Sequence, residues 1–172
     1  MATAEQVLAV ALKFVGTTED PKGSNNVIFN TDYYGRPVSG DAYAWCVVFV
    51  WDIFRLAGAS ALFYDGKKVA NTVAVEVWGK KAGLTISKDR VQRGDIVLFD
   101  FNHNQQPDHI GFALSGATNG KIQTVEGNTD DAVKTQTRNL SDVVTVIRPK
   151  YETSKMCNLD TCPILNYLKG LI

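Results

Sequence analysis

The chain has 172 residues, 45% of them apolar, which is enough for one globular domain with a continuous core and a short appendage. Its 18 Lys and Arg residues balance its 18 Asp and Glu residues, so no net field favours nucleic acid or an acidic membrane surface. The three cysteines are an odd number and do not suit a disulfide scaffold, which indicates at least one free thiol and synthesis in a reducing cytoplasm.

The first predicted element is an amphipathic N-terminal helix. Val7 and Ala11 recur at helical spacing, and Thr3 is suited to cap the first turn. Gly16 marks its expected end. Because charged residues interrupt its apolar positions and no basic start precedes them, the segment predicts neither an export signal nor a membrane span. Over residues 17–42 the periodicity is lost and Gly, Pro, Asn and Tyr accumulate, so a long irregular loop is expected.

Two further helices are predicted after this loop. The segment AWCVVFVWDIFRL, residues 44–56, is apolar nearly all round, which predicts a buried central helix, with a strand as the weaker alternative. Another helix is predicted over about residues 69–81. It carries Val73, Val77 and Trp78 on one face.

The second half of the chain is rich in β-forming residues. Four runs of Val, Ile, Phe and Thr are separated by turns and predict strands: residues 95–101, 109–114, 121–125 and 143–148. Helices followed by strands predict an α+β domain whose helices pack on an antiparallel sheet. Because the composition changes after Pro149, we divide the chain into a domain of residues 1–150 and an appendage or start of a linker of residues 151–172.

Cys46 falls in the first turn of the predicted central helix. Unpaired backbone N–H groups and the positive end of the helix dipole favour a thiolate at that place, and the thiolate is the nucleophilic form. The alternative is a small apolar residue of the core, and position alone favours that alternative.

His109 is the candidate base for this thiol. It begins the strand-like run HIGFALS directly after a turn, so its ring can project from the edge of the sheet. A neutral imidazole within reach of Cys46 accepts the thiol proton and later delivers a proton to the leaving amine. His103 lies in the polar segment FNHNQQPD and is expected to be a solvated loop residue, kept as a reserve base.

Glu126 and Asn128 are the candidates for orienting the imidazole. Glu126 would also stabilise an imidazolium, whereas Asn128 would only hold the tautomer of His109. The alternative to either role is that EGNT, residues 126–129, forms an ordinary turn. Asp108 is a poorer candidate because consecutive strand residues point to opposite faces. The backbone N–H of Cys46 is expected to hold the oxyanion, with Tyr43 as a candidate side-chain contributor.

Four motifs stand in a fixed order: WCVVFVW, GDIVLFDF, DHIGFAL and VEGNT. Together they resemble the cysteine, histidine-dependent amidohydrolase/peptidase (CHAP) family, from the first helix to about residue 148. The resemblance implies a papain-like α+β fold in which the cysteine helix packs on an antiparallel sheet. It implies Cys46 as the nucleophile, His109 as the general base and Glu126 as the third member, with Asn128 in reserve.

The same resemblance implies a hydrolase that cuts an amide bond of bacterial peptidoglycan. The bond lies within the stem peptide or cross-bridge, or between the muramoyl group and L-alanine. We expect the catalytic domain of a phage endolysin, which is made in the host cytoplasm without a signal peptide and is released to the wall by a holin or another agent. The alternatives are a bacterial autolysin, a non-catalytic wall-binding module of the same fold, and a transferase that passes the acyl group to an amine.

Flat aromatic side chains are the candidates for binding sugars and peptide. A groove wall is predicted from four of them, any of which could instead belong to the core: Trp45, Tyr43, Trp78 and Tyr34. Trp51, inside the central helix, is predicted to be core.

No metal or other cofactor is expected. Some relatives bind calcium through closely spaced acidic residues before the cysteine, whereas this chain has only the scattered Asp20, Asp32 and Asp41. Cys157 and Cys162 supply two of the four ligands that zinc needs, so a disulfide or two plain thiols fit them better.

Overall fold

A computed structural model describes residues 2–153, and the predictions for Cys157, Cys162 and the rest of the tail lie outside this range. Within it, the helices are α1 (Ala4–Lys13), α2 (Ile28–Tyr34), α3 (Cys46–Leu56) and α4 (Thr72–Lys81). The strands are β1 (Thr85–Ile86), β2 (Ile96–Phe99), β3 (His109–Ala113), β4 (Lys121–Thr129), β5 (Ala132–Asn139) and β6 (Val143–Ile147). The predicted α+β class is confirmed. No helix in this range is long and apolar enough to cross a membrane.

The six strands form one antiparallel sheet in the order β1-β6-β2-β3-β4-β5. Strands β2 to β5 follow one another along the chain and across the sheet, while β6 returns to pair with the other side of β2. This order makes β3 and β4 neighbours, so the strand that begins with His109 lies beside the strand that contains Glu126.

Helix α3 packs against the middle of this sheet. Its residues 46–54 are all buried, as its nearly continuous apolar sequence predicts. The ring of Phe112 on β3 contacts both Phe49, at a centroid distance of 6.4 Å, and Phe54, at 5.6 Å. The helix begins two residues later than predicted, and Cys46 is therefore its first residue.

Helix α1 has the predicted N-terminus. The Thr3 hydroxyl accepts from the backbone N–H of Gln6, whose side chain accepts from the Thr3 N–H, which is a capping box. The prediction of an irregular loop over residues 17–42 is wrong over α2 and over a short 3-10 turn at Asp41–Tyr43. Helix α2 has only seven residues, and Phe29 and Asn30 are its buried ones, which is too short a pattern to show helical periodicity.

Helix α4 turns a different face to the core than its Val73 and Val77 suggest. Those two side chains are 37% and 43% exposed, while Val75 and Gly79 are buried. Val75 and Gly79 lie on the other side of the helix, where Gly79 allows close contact with Ile147 of β6. Of the apolar residues on the predicted face, Val73 and Val77 are thus on the surface, while Trp78 is half-buried against Phe63 at a centroid distance of 5.8 Å.

Two strands were not predicted, and one is longer than predicted. Strand β1 has two residues, and β5 is polar after Val133, so neither shows an apolar pattern of period two. Strand β4 continues past the predicted end at residue 125 to Thr129, with a register shift between Glu126 and Thr129. The alternative of an ordinary turn at EGNT is therefore wrong, because these residues belong to an irregular part of a strand.

Gly127 determines how closely β4 approaches α3. A Cβ atom on Gly127 would lie 2.5 Å from the Cβ of Phe49 and 2.9 Å from the ring of Trp45. Side chains do not pack at such distances, so only glycine lets the strand that carries Glu126 lie directly against the helix that carries Cys46.

We expect Gly127→Ala to lower the free energy of unfolding by about 1–3 kcal/mol, because the added methyl group overpacks a rigid contact. Gly79→Ala is the matched control. Its new Cβ would meet only the rotatable end of Ile147, at 2.5 Å, and alanine also favours the helix by about 0.5–1 kcal/mol. Urea unfolding of both variants measures the difference, and equal losses would contradict the role given to Gly127.

Candidate active site

Cys46 lies at the N-terminus of α3 with a free thiol that is 8% exposed. The preceding residue, Trp45, makes no side-chain cap to the helix. The first-turn N–H groups therefore remain directed towards the space in front of the helix, where they favour negative charge on the sulfur and on a bound oxygen. This arrangement was predicted from the sequence.

Trp45 is held in the core rather than in a groove wall. Its side chain is fully buried and stacks on Phe29 at a centroid distance of 5.5 Å. Its indole N–H donates to Oε1 of the buried Glu19 at 2.7 Å, and Oε2 of Glu19 accepts from the N–H of Asn25 at 2.7 Å. The prediction of Trp45 as a groove wall is wrong. Its role is to anchor the start of α3 to the N-terminal loop.

His109 is the first residue of β3. The loop before it is stabilised by Asp100 and Asp108, whose carboxylates accept hydrogen bonds from backbone N–H groups of the loop. The Asp108 carboxylate accepts from the N–H groups of Phe101 and Asn102 at 3.0 and 3.2 Å, so Asp108 shapes the loop and does not orient the imidazole. His103 is exposed in the same loop and makes no side-chain hydrogen bond within residues 2–153. His109, by contrast, is nearly buried, with 12% of its side chain exposed.

The carboxylate of Glu126 is fully buried and accepts five hydrogen bonds. Oε1 accepts from Thr124 Oγ1 at 2.5 Å and from Arg138 Nε at 3.0 Å. Oε2 accepts from His109 Nε2 and Thr129 Oγ1, each at 3.0 Å, and from Arg138 Nη2 at 2.6 Å. Burial alone would raise the pKa of Glu126, but the bonds from His109, Arg138 and Thr124 outweigh it and lower this pKa to about 2.

An ionised Glu126 decides which imidazole nitrogen faces the thiol. A carboxylate can only accept, so His109 Nε2 must carry its hydrogen, and Nδ1 is left for Cys46. Burial lowers the pKa of His109, but hydrogen bonding and charge attraction to Cys46 and Glu126 outweigh it and raise the pKa to about 9. At neutral pH the imidazole is therefore protonated beside the sulfur.

Gly111 allows this contact between β3 and β4. A Cβ atom at Gly111 would lie 2.6 Å from Cγ of Glu126 and 2.9 Å from the carbonyl oxygen of Val125. With glycine there, the Glu126 side chain can lie across β3 and reach His109, two residues earlier on that strand. The motif DHIGFAL thus contains both the imidazole and the space that its partner occupies.

Asn128 does not join this cluster through a hydrogen bond. It is half-buried at the irregular part of β4, with a left-handed φ of 59°, and it makes no side-chain hydrogen bond to His109. The two side chains on His109 Nε2 are Glu126 and, at 3.4 Å, Thr129.

The other predicted groove residues lie on two different surfaces. Tyr34 and Tyr43 contact each other edge to face at 5.1 Å, and Tyr43 is three residues before Cys46. Trp78 lies on α4 and lines a cavity of about 830 Å³, where its indole N–H donates to Asp65 at 3.1 Å. Trp51 is buried, as predicted.

Two residues beside the site were missed in the sequence. Arg138 lies on β5, whose polar sequence does not predict a strand. Phe101 follows β2 and is 38% exposed, with its ring 5.8 Å from that of His109 and stacked on Phe99 at 5.3 Å. An exposed aromatic directly after the strand GDIVLF is a signal that could have identified Phe101.

Within residues 2–153, no group of three or more His, Cys, Asp or Glu side chains could hold a metal ion. Asp32, one of the scattered acidic residues, pairs with Arg55 at 2.5 Å. The absence of a cofactor stays a prediction.

A family model, that of the CHAP domain, matches residues 38–128. The chain belongs to the CHAP domain family. The matched segment contains Cys46, His109 and Glu126, and ends at Asn128. Glu19 and Arg138, which contact the site of this CHAP domain from either side, lie outside that segment.

Similar solved structures include two of Ly7917, one of them described with the hydrolyzing product of MDP. In both cases this CHAP domain is 14% identical to Ly7917 with a TM-score of 0.48, and the match covers 86% of this chain and 63% of that chain. The chain thus spans less than two thirds of the length of Ly7917. No curated protein matches the chain.

We expect NMR titration to show that His109 remains protonated through neutral pH and loses its proton near pH 9. Because the pKa of His109 is raised by Cys46 and Glu126, the protonated imidazole contributes its full free energy of stabilisation to the fold below pH 6.5. That stabilisation is lost as the pH rises through about 9. In Cys46→Ala the midpoint should fall, because one of the two partners is gone while burial remains. His103→Ala assigns the ring signals, and a midpoint unchanged by Cys46→Ala would contradict the pairing.

Proposed function

We propose that this CHAP domain hydrolyses an amide bond of bacterial peptidoglycan, with Cys46 as the nucleophile. One observation carries the proposal: the imidazole of His109 is bound through Nε2 to the buried Glu126 carboxylate, which leaves Nδ1 for the Cys46 thiol at the N-terminus of α3. The attacking species is the thiolate, because a thiolate and not a thiol is the nucleophile, and the raised pKa of His109 keeps a proton on the imidazole for the leaving amine.

In the first half of the reaction, the Cys46 sulfur attacks the carbonyl carbon of the scissile amide. The negative charge that develops on the carbonyl oxygen is stabilised by the Cys46 N–H and the positive end of α3. His109 then donates its Nδ1 proton to the amide nitrogen, the carbon–nitrogen bond breaks, and the amine leaves. The acyl group remains on Cys46 as a thioester.

In the second half, His109 is neutral and accepts a proton from water through Nδ1. The resulting hydroxide attacks the thioester carbonyl, the carbon–sulfur bond breaks, and the acid leaves. The thiolate and the imidazolium are thereby restored. Throughout, Glu126 holds Nε2–H, so the ring presents the same nitrogen to the sulfur, the amine and the water.

Family membership supports peptidoglycan as the substrate class. Cleavage within the stem peptide or cross-bridge, or at the muramoyl–L-alanine bond, is a finer assignment that mass spectrometry of digested walls would decide. An origin as a phage endolysin, released by a holin or another agent, stays a prediction. We propose residues 1–150 as the catalytic unit. Tyr151 packs on it, since its ring stacks on Phe54 at a centroid distance of 6.3 Å and its hydroxyl donates to the Gly94 carbonyl at 2.9 Å.

We expect Cys46→Ala to abolish the clearing of purified cell walls, because the substitution removes the thiol that is hydrogen-bonded to His109. His109→Ala should lose at least about 100-fold, the usual effect of a missing acid–base group. His103→Ala is the matched control and should clear walls at the wild-type rate. Turbidity assays give the rates, and equal clearing by Cys46→Ala and the wild type would refute the cysteine mechanism.

We further propose that the cavity beside α4 binds anionic parts of the substrate. Trp78 and Tyr64 supply aromatic surface there, and Lys67 and Lys81 supply positive charge without an ion pair in residues 2–153. Free carboxylates of stem peptides are complementary to such a surface.

The start of α4, at one end of the cavity, contacts the loop that precedes His109. Asn71 both caps α4 and lines the cavity, and the adjacent Thr72 hydroxyl donates to the carbonyl of Pro107 at 2.5 Å. Pro107 precedes His109 by two residues. The start of α4 therefore lies beside the loop that leads into the active site.

Lys81→Glu should weaken binding to cell walls about two- to fivefold, the effect of a charge at the rim of an interface. The measurement is co-sedimentation with intact walls in a Cys46→Ala background, which prevents digestion. Lys13→Glu is the control, since Lys13 also lies in the last turn of a helix but on α1. If Lys81→Glu and Lys13→Glu bind cell walls equally well, the cavity does not contribute to substrate binding.

A further inference from the structure

The carboxylate that orients His109 is itself held by a second cation. Arg138 on β5 reaches Glu126 on β4 through two parallel bonds, Nε to Oε1 at 3.0 Å and Nη2 to Oε2 at 2.6 Å. Such a planar fork fits a carboxylate in one orientation only. Since Glu126 has no exposed surface, its charge is balanced by these side chains rather than by solvent.

The guanidinium is held in place by aromatic rings that also contact the imidazole. It lies 4.8 Å from the ring centre of Phe101 and 6.0 Å from that of Phe99, whose planes are within 8° of each other. The His109 ring lies 5.8 Å from Phe101 and 6.1 Å from Phe99. Arg138 and His109 thus flank the same pair of rings and the same carboxylate.

The two cations share one oxygen atom. Oε2 of Glu126 is 3.0 Å from His109 Nε2 and 2.6 Å from Arg138 Nη2, so these nitrogens are within about 6 Å of each other. Like charges at that distance repel in a buried site. A carboxylate bound to His109 alone would hold the imidazolium proton more tightly than one that also binds Arg138.

On the basis of the proposed function, we propose that Arg138 is a positioning residue of this active site. It fixes the orientation of the Glu126 carboxylate towards His109, and its positive charge weakens the attraction between that carboxylate and the imidazolium. With it, the Glu126 carboxylate is shared between two cations, the His109 imidazolium and the Arg138 guanidinium. The weaker attraction matters because His109 must give its proton to the leaving amine in the first half of the reaction.

Within residues 2–153, the charged and titratable groups that face His109 and Arg138 are the following. His109 faces Cys46 from α3 and Glu126 from β4, while the Asp108 carboxylate is occupied by loop N–H groups. Arg138 faces Glu126 first, then Asp130 and Asp142, and these raise the pKa of Arg138. Arg138 is therefore charged at every pH at which the enzyme would be assayed.

Arg138→Gln removes the charge, and Arg138→Lys keeps it but removes the fork. In the Gln variant, the NMR midpoint of His109 and the alkaline limb of kcat/KM should both move upwards by about one pH unit. In the Lys variant, the NMR midpoint of His109 should stay near the wild-type value. We expect kcat to fall about tenfold, because lysine cannot make both bonds that fix the orientation of the Glu126 carboxylate.

Arg148→Gln is the matched control. Arg148 makes the same fork with the buried Asp95, at 2.8 Å for both bonds, away from the active site. Its loss should lower stability but leave the His109 midpoint unchanged. An unchanged or lowered midpoint in Arg138→Gln, or an equal shift in Arg148→Gln, would overturn the proposal.

Arg138→Lys decides the matter if Arg138→Gln does not fold, because full kcat in the lysine variant would also overturn it. The NMR midpoint requires no turnover. A failure of the proposed hydrolase function, seen as equal clearing by wild type and Cys46→Ala, is therefore distinguishable from a failure of the role given to Arg138.

Discussion

The Glu126 carboxylate has no contact with solvent, and it is stable in the interior because four side chains direct five donors at its two oxygens. An isolated charge at that depth would be neutralised by protonation. Here the donors keep it ionised, and an ionised Glu126 determines the tautomer of His109. The nitrogen that meets Cys46 is thus chosen by contacts on the opposite side of the ring.

Close backbone approach makes this arrangement possible in three dimensions. Gly111 lets the Glu126 side chain cross β3, and Gly127 lets β4 lie against the first turns of α3. The proposed nucleophile, Cys46, lies on a helix and the proposed base, His109, on a strand, so the separation of these two side chains depends on how tightly the helix packs on the sheet. Packing and chemistry are therefore coupled at these two glycines, which carry no functional group of their own.

Much of this could be predicted from the sequence. The nearly continuous apolar run around Cys46 indicated a buried helix, and the turn before His109 indicated a ring at the edge of a sheet. These features are local, since a few consecutive residues reveal them. The resemblance of four motifs to one family supplied the pairing of Cys46, His109 and Glu126, which no local pattern contains.

What could not be predicted depends on tertiary contacts. Strand β5 is polar after Val133 and is stabilised by pairing with β4, so nothing in its own sequence indicates that Arg138 lies beside Glu126. Trp45 was predicted to lie in a groove wall. Its burial depends on a hydrogen bond from its indole N–H to Glu19, which lies 26 residues earlier in the chain, so the local sequence does not reveal it. Asn128 was kept in reserve for the orienting role because it stands close to Glu126 in VEGNT. The sequence does not show the register shift between Glu126 and Thr129 within which Asn128 lies.

The segment matched by the family model contains Cys46, His109 and Glu126 but not all of the residues that hold them in place. Glu19 anchors Trp45 from before the segment, and Arg138 binds Glu126 from after it. A chimaera that transplants only residues 38–128 into another scaffold would bury Glu126 without its arginine and Trp45 without its acceptor. Exchanging such domains between enzymes therefore requires junctions placed before Glu19 and beyond β5.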